Sequence, residues 1–497
     1  MKVFFFVSVF TCVFTSQLSA QLGFGIYADL ISDNKGQNIT GYYHADFNQI
    51  IIDAQKKDTI IHFLFDSSFK LQNQYSVFAE NRILRNSRNR LSYVQDICLP
   101  NGIFEIFASG DSINLFKLNF ETRTDSAIAS IILKQVFEDE KLVAVLPRNN
   151  GCDFLTFSGK KKKAVIYKWL LNAGVMVASE IDLPKSTLSK LEIKEHGGSH
   201  LEIKYKALFA DMSINQTNKP AIFQFPSLSQ LFYNDSSIYI VNKSAFEAGI
   251  NVFKINTVLN IATSTNYFVN KVTTGIPSDA LAHPFATIYD SLLILQNCSS
   301  KKFEYYFFNL ITGRVIARQE TTPNDSLHKL VHSSLRQIGT FVSAAEEKQL
   351  SDEKKFIKAI IKVVPFIKPI ISKDSIILTF GAFVGTPGME GMFLSLATGG
   401  FGSLLGIGAT IGNTRFIPYL TTGRYMFLYA HSKFSLNTLQ PSTANNITTY
   451  LDDIVNDKKL KAMQSNNAVL IELPQKLYIG IYNKKTVSFD VDQYQQR

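Results

Sequence analysis

Short apolar or alternating runs of strand length recur along this chain, each closed by turn-forming residues, the pattern of antiparallel hairpins. Asp153-Phe-Leu-Thr-Phe157 and Ala164-Val-Ile-Tyr167 flank the basic run Lys160 to Lys163. Leu191-Glu-Ile-Lys194 and Leu201-Glu-Ile-Lys204 flank His196-Gly-Gly-Ser199. Near the end, Lys476-Leu-Tyr-Ile-Gly-Ile-Tyr482 and Thr486-Val-Ser-Phe-Asp490 flank Asn483-Lys-Lys485. A lone hairpin buries too little apolar surface to stand by itself, so units of this kind must stack.

The runs also repeat. Residues 163–184 and 302–323 align without gaps at an offset of 139, matching Lys163 with Lys302, Tyr167 with Tyr306, Gly174 with Gly313, Ala178 with Ala317 and Pro184 with Pro323. Asn114-Leu-Phe-Lys-Leu-Asn119 matches Asn251-Val-Phe-Lys-Ile-Asn256 at an offset of 137. An aromatic beside or near a lysine marks each unit: Phe69, Phe116, Tyr167, Tyr205, Phe253 and Tyr306, at spacings of 47, 51, 38, 48 and 53. A period in the forties with several strands per unit resembles the blades of β-propeller repeat proteins, over residues 40–323. The resemblance implies a mainly β, β-propeller-like fold of about seven blades, with eight as the alternative. It places Gly174 and Gly313 in matching turns three blades apart, and it closes the ring by adding an amino-terminal strand to the carboxy-terminal hairpin. No named subfamily is indicated, since regular Trp-Asp pairs, a double glycine in each unit and a tryptophan-rich blade motif are all missing.

The rhythm breaks at 324–370, where Leu327, Leu330, Val331, Leu335, Ile338, Phe341 and Val342 fall on one helical stripe. Ser351 with Asp352 and Glu353 predicts a second helix start, and Pro365 and Pro369 its end, so a two-helix insertion is expected. Residues 371–497 then supply closing blades. Within them Gly391 to Thr414 runs for 24 residues without a charge and holds seven glycines. That many glycines argues against a membrane helix and predicts a Gly-rich apolar hairpin near 385–420. Its large side chains Phe393, Leu394, Leu396, Phe401, Leu404, Leu405 and Ile407 are the candidate partner or membrane contacts.

Composition adds the compartment. Lys2, the apolar run Val3 to Phe14 and the small residue Ala20 form a secretory signal, with cleavage expected after Ala20, so residues 21–323 carry the first blades. The chain reads as secreted, periplasmic or extracellular. Loss of Cys12 leaves Cys98, Cys152 and Cys298, an odd number expected to stay as three free thiols. The formal charge of +10 is spread along the chain, and Lys160 to Lys163 reads as a solvated turn, which excludes nucleic acid as the expected partner.

Chemistry is sparse. Gly402-Ser-Leu-Leu-Gly406-Ile-Gly408 lacks the strand-turn-helix setting of a dinucleotide site. His328 with His332 and His196 with His200 stand at i, i+4, yet neither pair carries a general-base Glu. Asp452-Asp453 reads as the polar side of a short helix, and the Asn-x-Ser/Thr sites at Asn38, Asn215, Asn234, Asn242, Asn297, Asn324 and Asn446 are as many as chance supplies in such a sequence. No catalytic residue, metal ligand or cofactor is assigned. The expected function is a noncatalytic binding or assembly platform with a protein or envelope partner. The alternatives are a hydrolase or lyase of extracellular polymer using channel carboxylates, or an envelope-associated protein docking by peripheral membrane contact through the apolar hairpin.

Overall fold

The computed structural model describes Phe24–Gly25 and most of residues 38–495; residues 1–23, 26–37, 79–91, 184–212, 218–228, 269–284, 340–345, 386–424, 457–467 and several short turns lie outside the described residues. Seven small sheets follow one another, spanning 38–78, 92–132, 140–182, 213–268, 285–321, 335–435 and 468–495. In the first, second, third and fifth, four antiparallel strands pair in chain order. Aromatic and β-branched side chains cover both faces of the inner strands, where each sheet is packed on two sides, and the outer strands are largely exposed.

Neighbouring sheets meet face to face. Ile51, Leu64 and Tyr75 of the first pack on Ile103 and Leu118 of the second, and Phe104 and Leu115 of the second on Phe154 and Tyr167 of the third. Ile166 and Ile181 meet Leu231 and Phe253, Tyr239 meets Leu295 and Phe308, and one larger core joins the fifth, sixth and seventh sheets. The innermost strands lie side by side: Asn38–His44 adjoins both Ala468–Leu473 and Ser92–Leu99, and Phe285–Tyr289 adjoins Val364–Ser372. Phe24–Gly25 pairs with the final strand Ser488–Gln495, Phe24 opposite Phe489 and Gly25 opposite Ser488, so the last sheet is completed from the amino-terminal end. The architecture is that of a β-propeller.

The repeat is physical as well as textual. Asn119, Asn256 and Asn309 each end a third strand and turn their side-chain oxygen to the next two free backbone N–H groups, at 2.8–3.1 Å. Four residues on, Arg123, Asn260 and Gly313 are left-handed, with φ of 54°, 53° and 70°. Gly174 and Leu439 take the same place after Leu170 and Ser435, with φ of 59° and 55°. The N–H groups of Gly174 and Gly313 donate to the carbonyls of Leu170 and Asn309 at 2.9 and 2.8 Å. The two glycines therefore occupy matching turns. They are two sheets apart and not three, because a long segment precedes the antiparallel strands of the fourth sheet and contributes Ser213–Gln216, parallel to Ser229–Asn234. Tyr205 and the hairpin around His196 fall in that segment, outside the described residues.

The two-helix insertion expected at 324–370 also needs correction. Leu327–Lys329 is a single 3-10 turn, and Leu335 and Ile338 lie in the strand Leu335–Gly339. That strand and Glu346–Leu350 add to the free edge of Tyr425–Ser435, Arg336 opposite Tyr429, and supply the outer half of the sixth sheet. An open sheet edge, with its unpaired backbone groups, outweighed the helical spacing. Glu353, Phe356, Ile357 and Ile360 are helical where the second helix was expected. Pro365 and Pro369 lie in the innermost strand Val364–Ser372, where a missing N–H costs no ladder bond.

Candidate functional site

Two buried polar constellations stand out. The first lies between the first two sheets. Asp53 and His62 face each other across the two-residue turn that joins Gln49–Lys56 to Thr59–Asp66. His62 Nδ1 is 2.8 Å from Asp53 Oδ1, and Nε2 is 3.2 Å from Glu105 Oε1 of the second sheet, an ion-pair distance without hydrogen-bond alignment. All three residues are buried. Burial opposes the imidazolium, but the charge and hydrogen bond of Asp53 and the charge of Glu105 outweigh it and raise the His62 pKa to about 10. The raised pKa favours the imidazolium between the two carboxylates at neutral pH.

The second lies in the sixth sheet. Thr379 Oγ1 is 3.0 Å from His431 Nδ1, and His431 Nε2 is 2.9 Å from Asp452 Oδ2. Thr379 stands on Ser375–Gly385 and His431 opposite it on Tyr425–Ser435, while Asp452 opens the helix Tyr450–Asn456. The Tyr429 hydroxyl and the Thr449 N–H donate to Asp452 at 3.0 and 2.7 Å, and Arg336 Nε lies 3.3 Å away. Burial alone would raise the Asp452 pKa; His431, the Thr449 N–H and Arg336 reverse this and hold it below the ordinary value. Hydroxyl, imidazole and carboxylate in this order have the connectivity of a nucleophile-base-orienter triad. Here, however, Thr379 is 2% exposed, His431 0% and Asp452 2%, so no substrate reaches the hydroxyl. The cluster fastens the helix to the sheet. Asp452 is thus no part of an exposed polar face, as the sequence suggested, because its charge is drawn inward by four donors.

Other acids are likewise engaged. Glu140 on an innermost strand accepts from Tyr167, Thr156 and the Phe137 N–H at 2.6, 3.1 and 2.8 Å. Glu304 accepts from Asn297 and Arg318 at 2.8 and 2.6 Å, which leaves the Asn297 amide nitrogen buried and bonded. His332 is buried and accepts from the Lys433 N–H at 2.9 Å; burial lowers its pKa, and among the described residues no group of three His, Cys, Asp or Glu side chains is placed to hold a metal ion. Cys152 and Cys298 are free and buried, and burial pushes both thiols up, Cys298 to about 12. The Cys98 side chain lies outside the described residues. Lys163 pairs with Glu180 and Asp182 at 3.1 and 3.4 Å, as a solvated turn would.

Phe393, Leu394, Leu396, Phe401, Leu404, Leu405 and Ile407 also lie outside the described residues. Their root does not: Gly385 and Tyr425 are direct partners on adjacent strands of the sixth sheet. In the other six sheets the second and third strands are joined by two to five residues; here 39 intervene.

Comparison with known proteins adds little. No protein family matches the sequence, and no curated relative does. Among solved structures, the β-propeller domain of Nup133 from Vanderwaltozyma polyspora is 11% identical, covering 69% of this chain and 80% of that one at a TM-score of 0.30. The propeller of Dos1 is 9% identical over 84% and 96%, with a TM-score of 0.31, and the carboxy-terminal WD40 domain of Sif2 is 8% identical over 94% and 98%, with a TM-score of 0.33. Superpositions this loose carry no functional information, and the propeller assignment rests on the strand order.

Proposed function

We propose that the protein is an exported, noncatalytic binding or assembly platform, built as a propeller of seven blades with the Gly-rich insertion as its contact element. The observation that carries this is the sealing of its reactive groups: the best-formed triad, Thr379–His431–Asp452, is closed to solvent and used up by internal bonds. The insertion supports the second half of the reading. A 39-residue segment with a 24-residue uncharged stretch, Gly391 to Thr414, replaces a turn of a few residues at one blade, and long loops on a rigid scaffold are where recognition is placed.

The test is association of the purified protein with liposomes and with its native medium or envelope fraction, for the wild type and for the double substitution F401D/L405D. Loss of association with the melting temperature unchanged supports the platform. A sharp fall in melting temperature with association intact identifies the insertion as ordinary core and ends that reading. Cleavage of an extracellular polymer by the purified wild type would replace it with the hydrolase or lyase alternative.

A further inference from the structure

Seven Asn-x-Ser/Thr tripeptides are no more than chance supplies, but the fold sorts those it describes. Asn297 is 3% exposed on the strand Leu292–Cys298, and its amide nitrogen donates to Glu304 at 2.8 Å. Asn234 is half-buried beside a two-residue turn. Its side-chain oxygen closes that turn by accepting the Ser236 and Ser237 N–H groups at 3.2 and 2.9 Å, and its carbonyl holds Arg148 of the third sheet. The side chains of Asn38, Asn215, Asn242 and Asn324 lie outside the described residues. Asn446 differs from Asn234 and Asn297. Asn446-Ile-Thr448 lies in the irregular segment between the strand Tyr425–Ser435 and the helix Tyr450–Asn456. Asn446 and Thr448 are exposed, and neither side chain makes a hydrogen bond among the described residues. Ile447 between them is anchored: it packs against the core that joins the fifth, sixth and seventh sheets, and its N–H donates to the His332 carbonyl at 2.8 Å. The next residue, Thr449, is buried and bonded to Asp452. The middle residue thus holds the tripeptide in place while its two outer side chains stand in solvent. Asn446 is left-handed, with φ of 61°, a conformation that asparagine tolerates better than most residues.

We propose that Asn446 is a modification site, the acceptor of an N-linked oligosaccharide. The proposal rests on the export half of the proposed function, because such acceptors are surface loops of secreted proteins, and it is independent of the Gly-rich insertion. In the transfer, Nδ2 of Asn446 attacks C1 of the first sugar of a lipid-linked oligosaccharyl pyrophosphate. A C–N bond forms, the C–O bond to the pyrophosphate breaks, the amide gives up one proton and the lipid pyrophosphate departs. Nothing is oxidised or reduced. The free amide of Asn446 is open to this step, with the Thr448 hydroxyl that completes the acceptor motif exposed two residues on. A bulky, hydrated chain can leave Asn446 directly into solvent, whereas at Asn297 it would have to enter a close-packed sheet.

The test is expression of the full chain, with its own residues 1–20, in a eukaryotic cell that performs N-glycosylation, followed by peptide mapping of protein from the medium before and after treatment with peptide-N-glycanase. The expected product begins at Gln21 and bears a glycan at Asn446 and none at Asn297. N446D and T448A should each be secreted without the Asn446 glycan, and T448S, which keeps the hydroxyl, should retain it. Secreted protein that begins at Gln21 with Asn446 unmodified would overturn the proposal and leave export standing. A chain kept inside the cell with residues 1–20 still attached would overturn export, and this site with it. A glycan at Asn297 of the folded protein would overturn the sorting by burial that singles out Asn446.

Discussion

Replacing His62 with Gln removes a buried cation and leaves Asp53 and Glu105 facing each other across the first two sheets. Burial lowers the pKa of the imidazole and the two carboxylates raise it by more, from 6.5 to about 10, which at ~1.36 kcal/mol per pH unit corresponds to about 5 kcal/mol of stability. The sign follows from proton counting. Between pH 6.5 and about 10 the native protein holds a proton on His62 that the unfolded chain has released, so stability falls as pH rises. The full contribution is present below pH 6.5 and is gone above about pH 10. Urea unfolding of wild type and H62Q, measured in parallel from pH 6 to pH 9.5, should therefore show a gap of about 5 kcal/mol at the acid end that narrows by about 1.4 kcal/mol per pH unit. Titrating groups away from the cluster cancel in the difference between the two proteins, whereas Asp53 and Glu105, buried without their cation in H62Q, are pushed up and reduce the narrowing at the acid end. A gap that stays constant across this range would show that His62 is neutral in the fold and that the charged cluster is wrongly read.

Three further outcomes follow from the packing. Asp452→Asn removes the buried charge on which His431, the Tyr429 hydroxyl and the Thr449 N–H converge beside Arg336, and should cost about 3–5 kcal/mol in denaturant unfolding. Gly151→Ala should destabilise by at least about 3 kcal/mol or prevent folding, since its Cβ would sit 1.9 Å from the Trp169 carbonyl oxygen; a soluble variant melting like the wild type would contradict the close strand approach there. Thiol titration of the protein cleaved after Ala20 should find three groups in denaturant and no reaction at Cys152 or Cys298 in the native protein, whereas a bridge involving either would contradict their burial as free thiols.

Local pattern carried the fold as far as local pattern determines structure. Gly174 and Gly313 were legible as equivalent because a left-handed residue four places past a third strand is a requirement of the turn itself. The Asp53–His62 pair could also have been found, since a two-residue turn between alternating runs fixes their register. The blade count between the glycines was misread because spacing alone made Tyr205 a blade marker, whereas the described strands between the third and fifth sheets form one sheet. Leu335 and Ile338 looked helical because apolar residues three apart suit a helix, and only the free edge of a strand some 90 residues later in the chain decides otherwise. Thr379, His431 and Asp452 were invisible for the same reason: the 39-residue insertion parts the first two in sequence, and only the sheet reunites them.

Closure of the ring is tested most directly by G25C/S488C. These residues face each other across the pair that joins the amino-terminal strand to the last one. Opposed antiparallel residues lie about 4.5–5.5 Å apart at Cα, within the ~4.4–6.8 Å a disulfide accepts. Peptide mapping of the oxidised variant should recover an intrachain bridge between positions 25 and 488, with a raised melting temperature that reduction reverses. Free thiols at both positions after oxidation, or bridges only between separate chains, would show that the ring is not closed by this strand.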